Sequence, residues 1–280
     1  MQAGRRYTSR RRGWANVLRW SAIAVATLWL LFPFYWTVTT SLKSGLDLYR
    51  GYVPFVNYTP TLGMWKGELA TRWELDRMAL LNSLAIASGS AVISVMLGGS
   101  AAYGLAGLRG RRFTPWLTIL CLGPRFIYPI ALLIPFYLMM RLLGLVDNVL
   151  SMIIANSIFG LPFAVLILRD AFVSIPRELE EAALVDGCSH WQALWRVLFP
   201  LVRPAVVAAG MLAFAAAWND YLFALVLSVQ WARPITYILA GTGGTQLLMV
   251  RAIMAMTPPI ILALLAQRYL VRALTLGVVK

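Results

Sequence analysis

Glu178-Leu179-Glu180-Glu181-Ala182-Ala183-Leu184-Val185-Asp186-Gly187 lies between two apolar runs of membrane length, residues 148 to 168 and 203 to 228. Carboxylates at this density are too costly to bury in lipid, so the segment marks an aqueous element between two spans. Ser174 and Pro176 precede it, acidic residues occupy its first turn where the helix dipole favours them, and Gly187 ends it. Leu179, Ala182, Ala183 and Leu184 form one apolar side, and a second amphipathic piece runs through Trp191, Leu194, Trp195 and Leu198 to Pro200. The spacing predicts a helix-turn-helix elbow within residues 170 to 202. A loop that only reconnects two spans needs no pair of apolar faces, so the elbow reads as a handle held by another protein.

The sequence on either side belongs to a membrane. Its 280 residues are 60% hydrophobic and 13% charged, with a mean hydropathy of +0.72, beyond the range of soluble domains. Apolar runs near 20 to 40, 79 to 107, 115 to 139, 148 to 168, 203 to 228 and 247 to 266 reach the ~20 helical residues that a bilayer requires. Each is expected to be helical, because strand edges would leave amides unpaired in lipid. The expected fold is an all-α polytopic membrane protein of six spans, forming a single transmembrane domain over residues 20 to 280. Gly89, Gly98, Gly99, Gly104 and Gly107 mark the second run for tilt or close packing.

Charge gives the orientation and removes other functions. The net charge is +14, and Arg5, Arg6, Arg10, Arg11, Arg12 and Arg19 precede the first run while Arg109, Arg111 and Arg112 follow the second. That distribution reads as a basic cytoplasmic segment over residues 1 to 19 with both termini cytoplasmic, and no nucleic-acid partner is expected. Residues 41 to 78 and 229 to 246 then lie outside, with Trp65 and Trp73 as anchors at a membrane surface or a docked partner. Trp29 to Trp36 continue the first run with no small-residue cleavage site, so it is read as an uncleaved span. Cys121 and Cys188 offer no disulfide scaffold, and His190, the single histidine, leaves no zinc, haem or triad chemistry. No G-x-x-x-x-G-K-[ST] loop is present to hold a nucleotide, so neither catalytic nor metal residues are expected.

Glu181-Ala182-Ala183, three residues, Gly187, nine residues and Val197-Leu198-Phe199-Pro200 resembles the EAA loop of bacterial ATP-binding-cassette (ABC) importer permeases. Val197 and Phe199 are conservative departures from the I-x-L-P ending of that pattern. Ser41-Leu42-Lys43, Asn57-Tyr58, Asn82-Ser83, Ala102-Tyr103-Gly104-Leu105, Ile134-Pro135-Phe136-Tyr137, Trp218-Asn219-Asp220 and the tail from Leu274 to Lys280 extend the likeness. In this order they are similar to the second permease subunit of carbohydrate importers, the maltose-transporter-like group.

The resemblance implies a type I ABC importer permease fold in the bacterial inner membrane, surrounded by lipid. It also implies a homologous second permease subunit, two ATPase subunits that bind ATP and Mg, and an extracytoplasmic binding protein, with no cofactor held by this chain. Glu178, Glu181, Ala182, Ala183, Asp186, Gly187 and Pro200 would then form the surface that couples to the ATPase. Glu181 would make its polar contact, the two alanines its close apolar contact, and Gly187 the turn. The implied cargo is a sugar. A polyol or glycerol-phosphate-like solute stays open, as does an ion-coupled secondary transporter, which needs intramembrane charge but no elbow.

Five residues are candidates for the path. Arg125 sits ~15 Å into the third run, where a cavity contact, a lock on helix packing and snorkelling at a span end all remain open. Asn219 and Asp220, with Tyr128 and Phe223, combine polar groups and rings as a sugar site requires, and interhelical bonding is the alternative. Asn82-Ser83 and Asn156-Ser157 are further candidates for bonds between helices, and Pro124, Pro129, Pro135 and Pro162 for kinks.

Overall fold

The computed structural model describes the backbone of residues 3–50, 59–108, 110 and 112–278, and the side chains of 16–45, 47, 48, 59–108, 110 and 112–269. Arg5, Arg6, Arg10, Arg11, Arg12, Arg109, Arg111, Asn57, Tyr58 and the tail motif from Leu274 fall outside the described side chains. Every regular element among the described residues is helical. The order is α1 (Ala3–Ser41), α2 (Gly45–Arg50), α3 (Gly63–Thr71), α4 (Trp73–Gly107), α5 (Thr114–Leu122) and α6 (Pro129–Leu142). Then come α7 (Val149–Val173), α8 (Arg177–Val185), α9 (His190–Ala193), α10 (Phe199–Leu201) and α11 (Arg203–Trp218). α12 (Leu222–Leu227), α13 (Ile235–Ala240) and α14 (Thr245–Val278) complete the chain.

Helices α1, α4, α7 and α14 contain stretches long and apolar enough to cross a membrane unbroken. Two further pairs are bent: Thr114–Phe126 meets Pro129–Leu142 at 87°, and His190–Leu201 meets Arg203–Trp218 at 88°. The third run, expected as one span with candidate kinks at Pro124, Pro129 and Pro135, is two helices around a 3₁₀ turn, Gly123–Phe126. Pro129 forces the residue before it out of the helical region, and Tyr128 is accordingly extended at φ −62°, ψ 128°. The fifth run, expected as one span, also breaks. α11 stops after 16 residues, about 24 Å, and α12 starts only after Asn219, Asp220 and Tyr221. Pro135 and Pro162 are carried inside α6 and α7. The second run begins earlier than expected, at Trp73, with Glu74 and Asp76 in its first turn.

The chain divides into two compact units, one of residues 1–72 with 242–254 and the other of residues 73–241 with 255–280. In the first, the Leu42 carbonyl accepts from the Thr61 amide at 2.8 Å, and Trp65 Nε1 donates to Ser41 Oγ at 3.3 Å. Gln246 Nε2 donates to the Lys43 carbonyl at 2.6 Å, tying the start of α14 to the end of α1. Arg251 of α14 and Glu68 of α3 form a buried ion pair, with Nε 2.8 Å from Oε1.

The second unit is built on α4, α7 and α11. A Cβ placed on Gly98 would lie 2.6 Å from that of Ala164, so α4 and α7 touch at a distance that only glycine permits. Ser90 and Ser94 donate across the same seam to the carbonyls of Ile153 and Ser157, at 3.1 and 3.2 Å. Asn82 Nδ2 donates to the carbonyls of Trp231 and Arg233, in the loop after α12 rather than on a neighbouring helix as expected. Of the five glycines marked in this run, Gly104 and Gly107 face open space instead. The two ends of α4 thus have different neighbours: the loop after α12 at Asn82, and the elbow at Tyr103. Twenty-one residues separate those contacts, about 30 Å along the axis and close to one hydrocarbon thickness.

Candidate functional site

The elbow forms for local reasons. Pro176 lacks an amide hydrogen and leads into α8, whose first turn carries Glu178 and Glu180. At its end the Cys188 amide donates to the Ala183 carbonyl and the Gly187 amide to Leu184, both at 3.0 Å. This paired closure needs a left-handed residue, and Gly187 supplies it at φ +87°. Ser189 then caps α9 reciprocally with Gln192. The Phe199 amide reaches back to Leu194, giving a π-helical turn over Leu194–Leu198 that feeds α10.

Helical spacing sorts α8 into two faces. Glu178, Glu181, Ala182 and Val185 are exposed along one side, with Val185 at 87%, and Asp186 and Gly187 are exposed at its end. Pro200, in α10, is exposed as well. Ala183 departs from the expected outward contact. It is buried at 6%, turned into its own chain, so Val185 rather than Ala183 accompanies Ala182 on the open face.

Behind α8 lies a cluster that the sequence did not disclose. The Tyr103 hydroxyl of α4 donates to Glu180 Oε1, and His190 Nδ1 lies 3.3 Å from that hydroxyl and 3.6 Å from the carboxylate. Glu180 and Tyr103 are 77 residues apart, and no local pattern pairs them.

The path candidates fall into two groups along α7. Arg125, in the 3₁₀ turn, places its guanidinium 4.1 Å from the ring centre of Phe163, while Tyr128 at the bend is 81% exposed. Asp220 Oδ2 accepts from Asn156 Nδ2 at 3.2 Å, and its Oδ1 accepts from the Phe223 amide at 3.3 Å, capping α12. Asn156 and Phe163 are seven residues apart, about two turns, so the groups share one side of α7 roughly 10 Å apart. Asn219 is exposed and its side chain bonds within its own helix, to the Ala215 carbonyl at 2.8 Å. Phe223 is not at a surface. It is 3% exposed, with ring centres of Phe136 and Phe159 at 5.6 and 5.7 Å, so it belongs to the core.

Asp147 was also missed. It lies between α6 and α7 at φ +62°, and its carboxylate accepts from the amides of Val229, Gln230, Trp231 and Ala232 at 2.9 to 3.1 Å. Partial burial raises its pKa, but these four donors outweigh that and hold it below the ordinary carboxylate value.

Comparison with known proteins agrees with the all-helical fold. The probable ABC transporter permease protein y4oR of Sinorhizobium fredii is 34% identical over 278 residues, covering 98% of this chain and 97% of its own. The trehalose transport system permease protein SugB of Mycobacterium tuberculosis is 34% identical over 267 residues, covering 89% of this chain and 92% of its own. Among solved structures, a chain of a bacterial ABC transporter involved in the import of the acidic polysaccharide alginate superposes with a TM-score of 0.74. It is 23% identical and the match covers 94% of this chain and 98% of that one, which establishes the fold. Residues 78–276 match the model of the binding-protein-dependent transport system inner membrane component, and the chain belongs to that family.

Proposed function

We propose that this chain is the permease subunit of an ATP-driven importer, forming half of the transmembrane path for a sugar delivered by an extracytoplasmic binding protein. The observation that carries the reading is the open face of α8. Glu178, Glu181, Ala182 and Val185 project together beside the Gly187 turn, while Ala183 and Glu180 face inward. Small and acidic residues on a braced helix suit a cleft on a partner with basic or hydroxyl groups. Two such partners, each ATPase holding ATP and Mg, would close together and move paired elbows, opening the path alternately to either side. A homologous permease supplies the other half.

In this reading the elbow and the basic N-terminal segment are cytoplasmic, as is the C terminus. Six crossings result if each bent pair counts once, and the loops near Asp147 and Trp231 then share the outer side. Their mutual hydrogen bonds support that alternation. Sugar is the favoured cargo because relatives carry names such as trehalose transport system permease and melibiose/raffinose/stachyose import permease. Arg125 and Tyr128, with Asn219 and Asp220, are proposed to face the path, whereas Phe223 supports them from the core.

The test reconstitutes the four-part complex in proteoliposomes after screening the cognate binding protein by thermal shift against mono-, di- and oligosaccharides, polyols and glycerol phosphates. Uptake of the selected solute should require ATP and persist when ion gradients are collapsed. Gradient-dependent uptake without ATP would refute the importer reading, and a polyol or phosphate hit without any sugar hit would refute the cargo.

A further inference from the structure

The elbow is fastened to the membrane helices by two attachments of different kinds. Its second half is held by a run of rings. Trp191 and Trp195 lie 5.6 Å apart, Trp195 stacks on Phe199 at 4.3 Å, and Phe199 meets Phe172 of α7 at 6.0 Å. A Cβ on Gly99 of α4 would lie 2.6 Å from the Phe199 ring, so this half is wedged against α4 as well. The first half, α8, has one polar tie to α4: the Tyr103 hydroxyl on Glu180, with the Tyr103 ring set edge-on to Phe172 at 6.1 Å. A cleft of about 60 Å³ lined by Tyr103, Phe172, Pro176, Arg177, Glu180 and Leu198 adjoins this tie. That volume is far below the roughly 300 Å³ of a small-molecule pocket, so the cleft is not read as a ligand site.

We propose that Tyr103 and Glu180 are positioning residues that transmit displacement of α8 to the inner end of α4. The inference rests on α8 being the ATPase-docking helix. Glu180 is on the inward side of α8, next in sequence to the outward Glu181, so any rotation or shift imposed on the open face moves its carboxylate. An apolar contact permits sliding. A hydrogen bond is directional, and it pulls the Tyr103 ring, hence α4, with it. His190 of α9, 3.3 Å from the same hydroxyl, keeps the tie at the hinge between the halves of the elbow.

The experiment is hydrogen exchange read by mass spectrometry on the complete complex, without nucleotide and with Mg-ATP plus vanadate. The variants are Tyr103→Phe, which keeps the ring and its contact with Phe172, Glu180→Ala, which removes the acceptor, and Glu180→Gln, which keeps one. In the unaltered complex, nucleotide should change exchange in residues 177–185 and in 101–108 together. Tyr103→Phe and Glu180→Ala should preserve the first response and reduce the second about tenfold, the equivalent of roughly 1.4 kcal/mol. The double variant should be no worse than either single one, and Glu180→Gln should restore the response. An undiminished response of 101–108 in both single variants overturns the link, as does Glu180→Gln failing along with Glu180→Ala. Failure of the underlying reading looks different: residues 177–185 would then show no nucleotide response in any complex, the unaltered one included.

Discussion

Replacing Arg251 with methionine tests how α3 is held to α14. The guanidinium Nε and Nη2 lie 2.8 and 2.5 Å from Glu68 Oε1, both side chains are 4% exposed, and Nη1 donates to Thr242 Oγ1 at 2.9 Å. With charge centres ~4 Å apart and an effective dielectric constant of ~20, the attraction is about 4 kcal/mol. Desolvating each ion costs several kcal/mol, so the intact pair adds little net stability. Removing Arg251 is another matter, because the penalty for the buried Glu68 carboxylate is then no longer offset. Arg251→Met preserves most of the side-chain volume and should destabilise this unit by about 3–5 kcal/mol. Because the two groups bond each other, Glu68→Leu with Arg251→Met should cost clearly less than the sum of the two single losses. Denaturant titration in detergent micelles, followed by the fluorescence of Trp36 and Trp65 in the same unit, reads these differences. Arg251→Met within about 1 kcal/mol of the parent, or a double variant equal to the sum of both losses, would refute the reasoning.

Glu181→Ala should leave membrane insertion intact, abolish solute-stimulated ATP hydrolysis and abolish uptake in proteoliposomes; normal stimulation and entry would remove α8 from the coupling role. Gly187→Val forces a β-branched residue into φ +87° at a cost of about 1–2 kcal/mol and should impair uptake more than Gly187→Asn, which tolerates that region. Gly98→Val should cost about 1–3 kcal/mol through collision with Ala164, seen as a lowered melting temperature, whereas Gly104→Val, facing open space, should cost less. Asp147 has a lowered folded pKa, so its contribution is present above the ordinary carboxylate value near ~4 and is lost as pH falls through the folded value. The melting-temperature gap between the parent and Asp147→Asn should therefore shrink on acidification from about pH 7 to pH 3, and a gap independent of pH would contradict the four-amide cradle.

Sequence alone determined the apolar runs, their helical state, and the elbow with its acidic start and glycine end. These rest on lipid exclusion of unpaired amides and on chain stereochemistry acting over a few residues. Gly187 is legible because a left-handed turn penalises any Cβ, wherever the rest of the chain goes. Pro124 and Pro129 were legible as kinks, but the 87° bend required knowing where α6 packs after the break. Tertiary structure alone decided that Ala183 turns inward and Val185 outward, since helical spacing defines two faces without saying which is covered. It also decided the pairings Tyr103 with Glu180, Asp147 with the amides near Trp231, and Glu68 with Arg251, at separations of 77, 84 and 183 residues. A side chain's local neighbours carry no record of a partner so distant; packing of the helices brings the two together, and burial then makes the pairing obligatory.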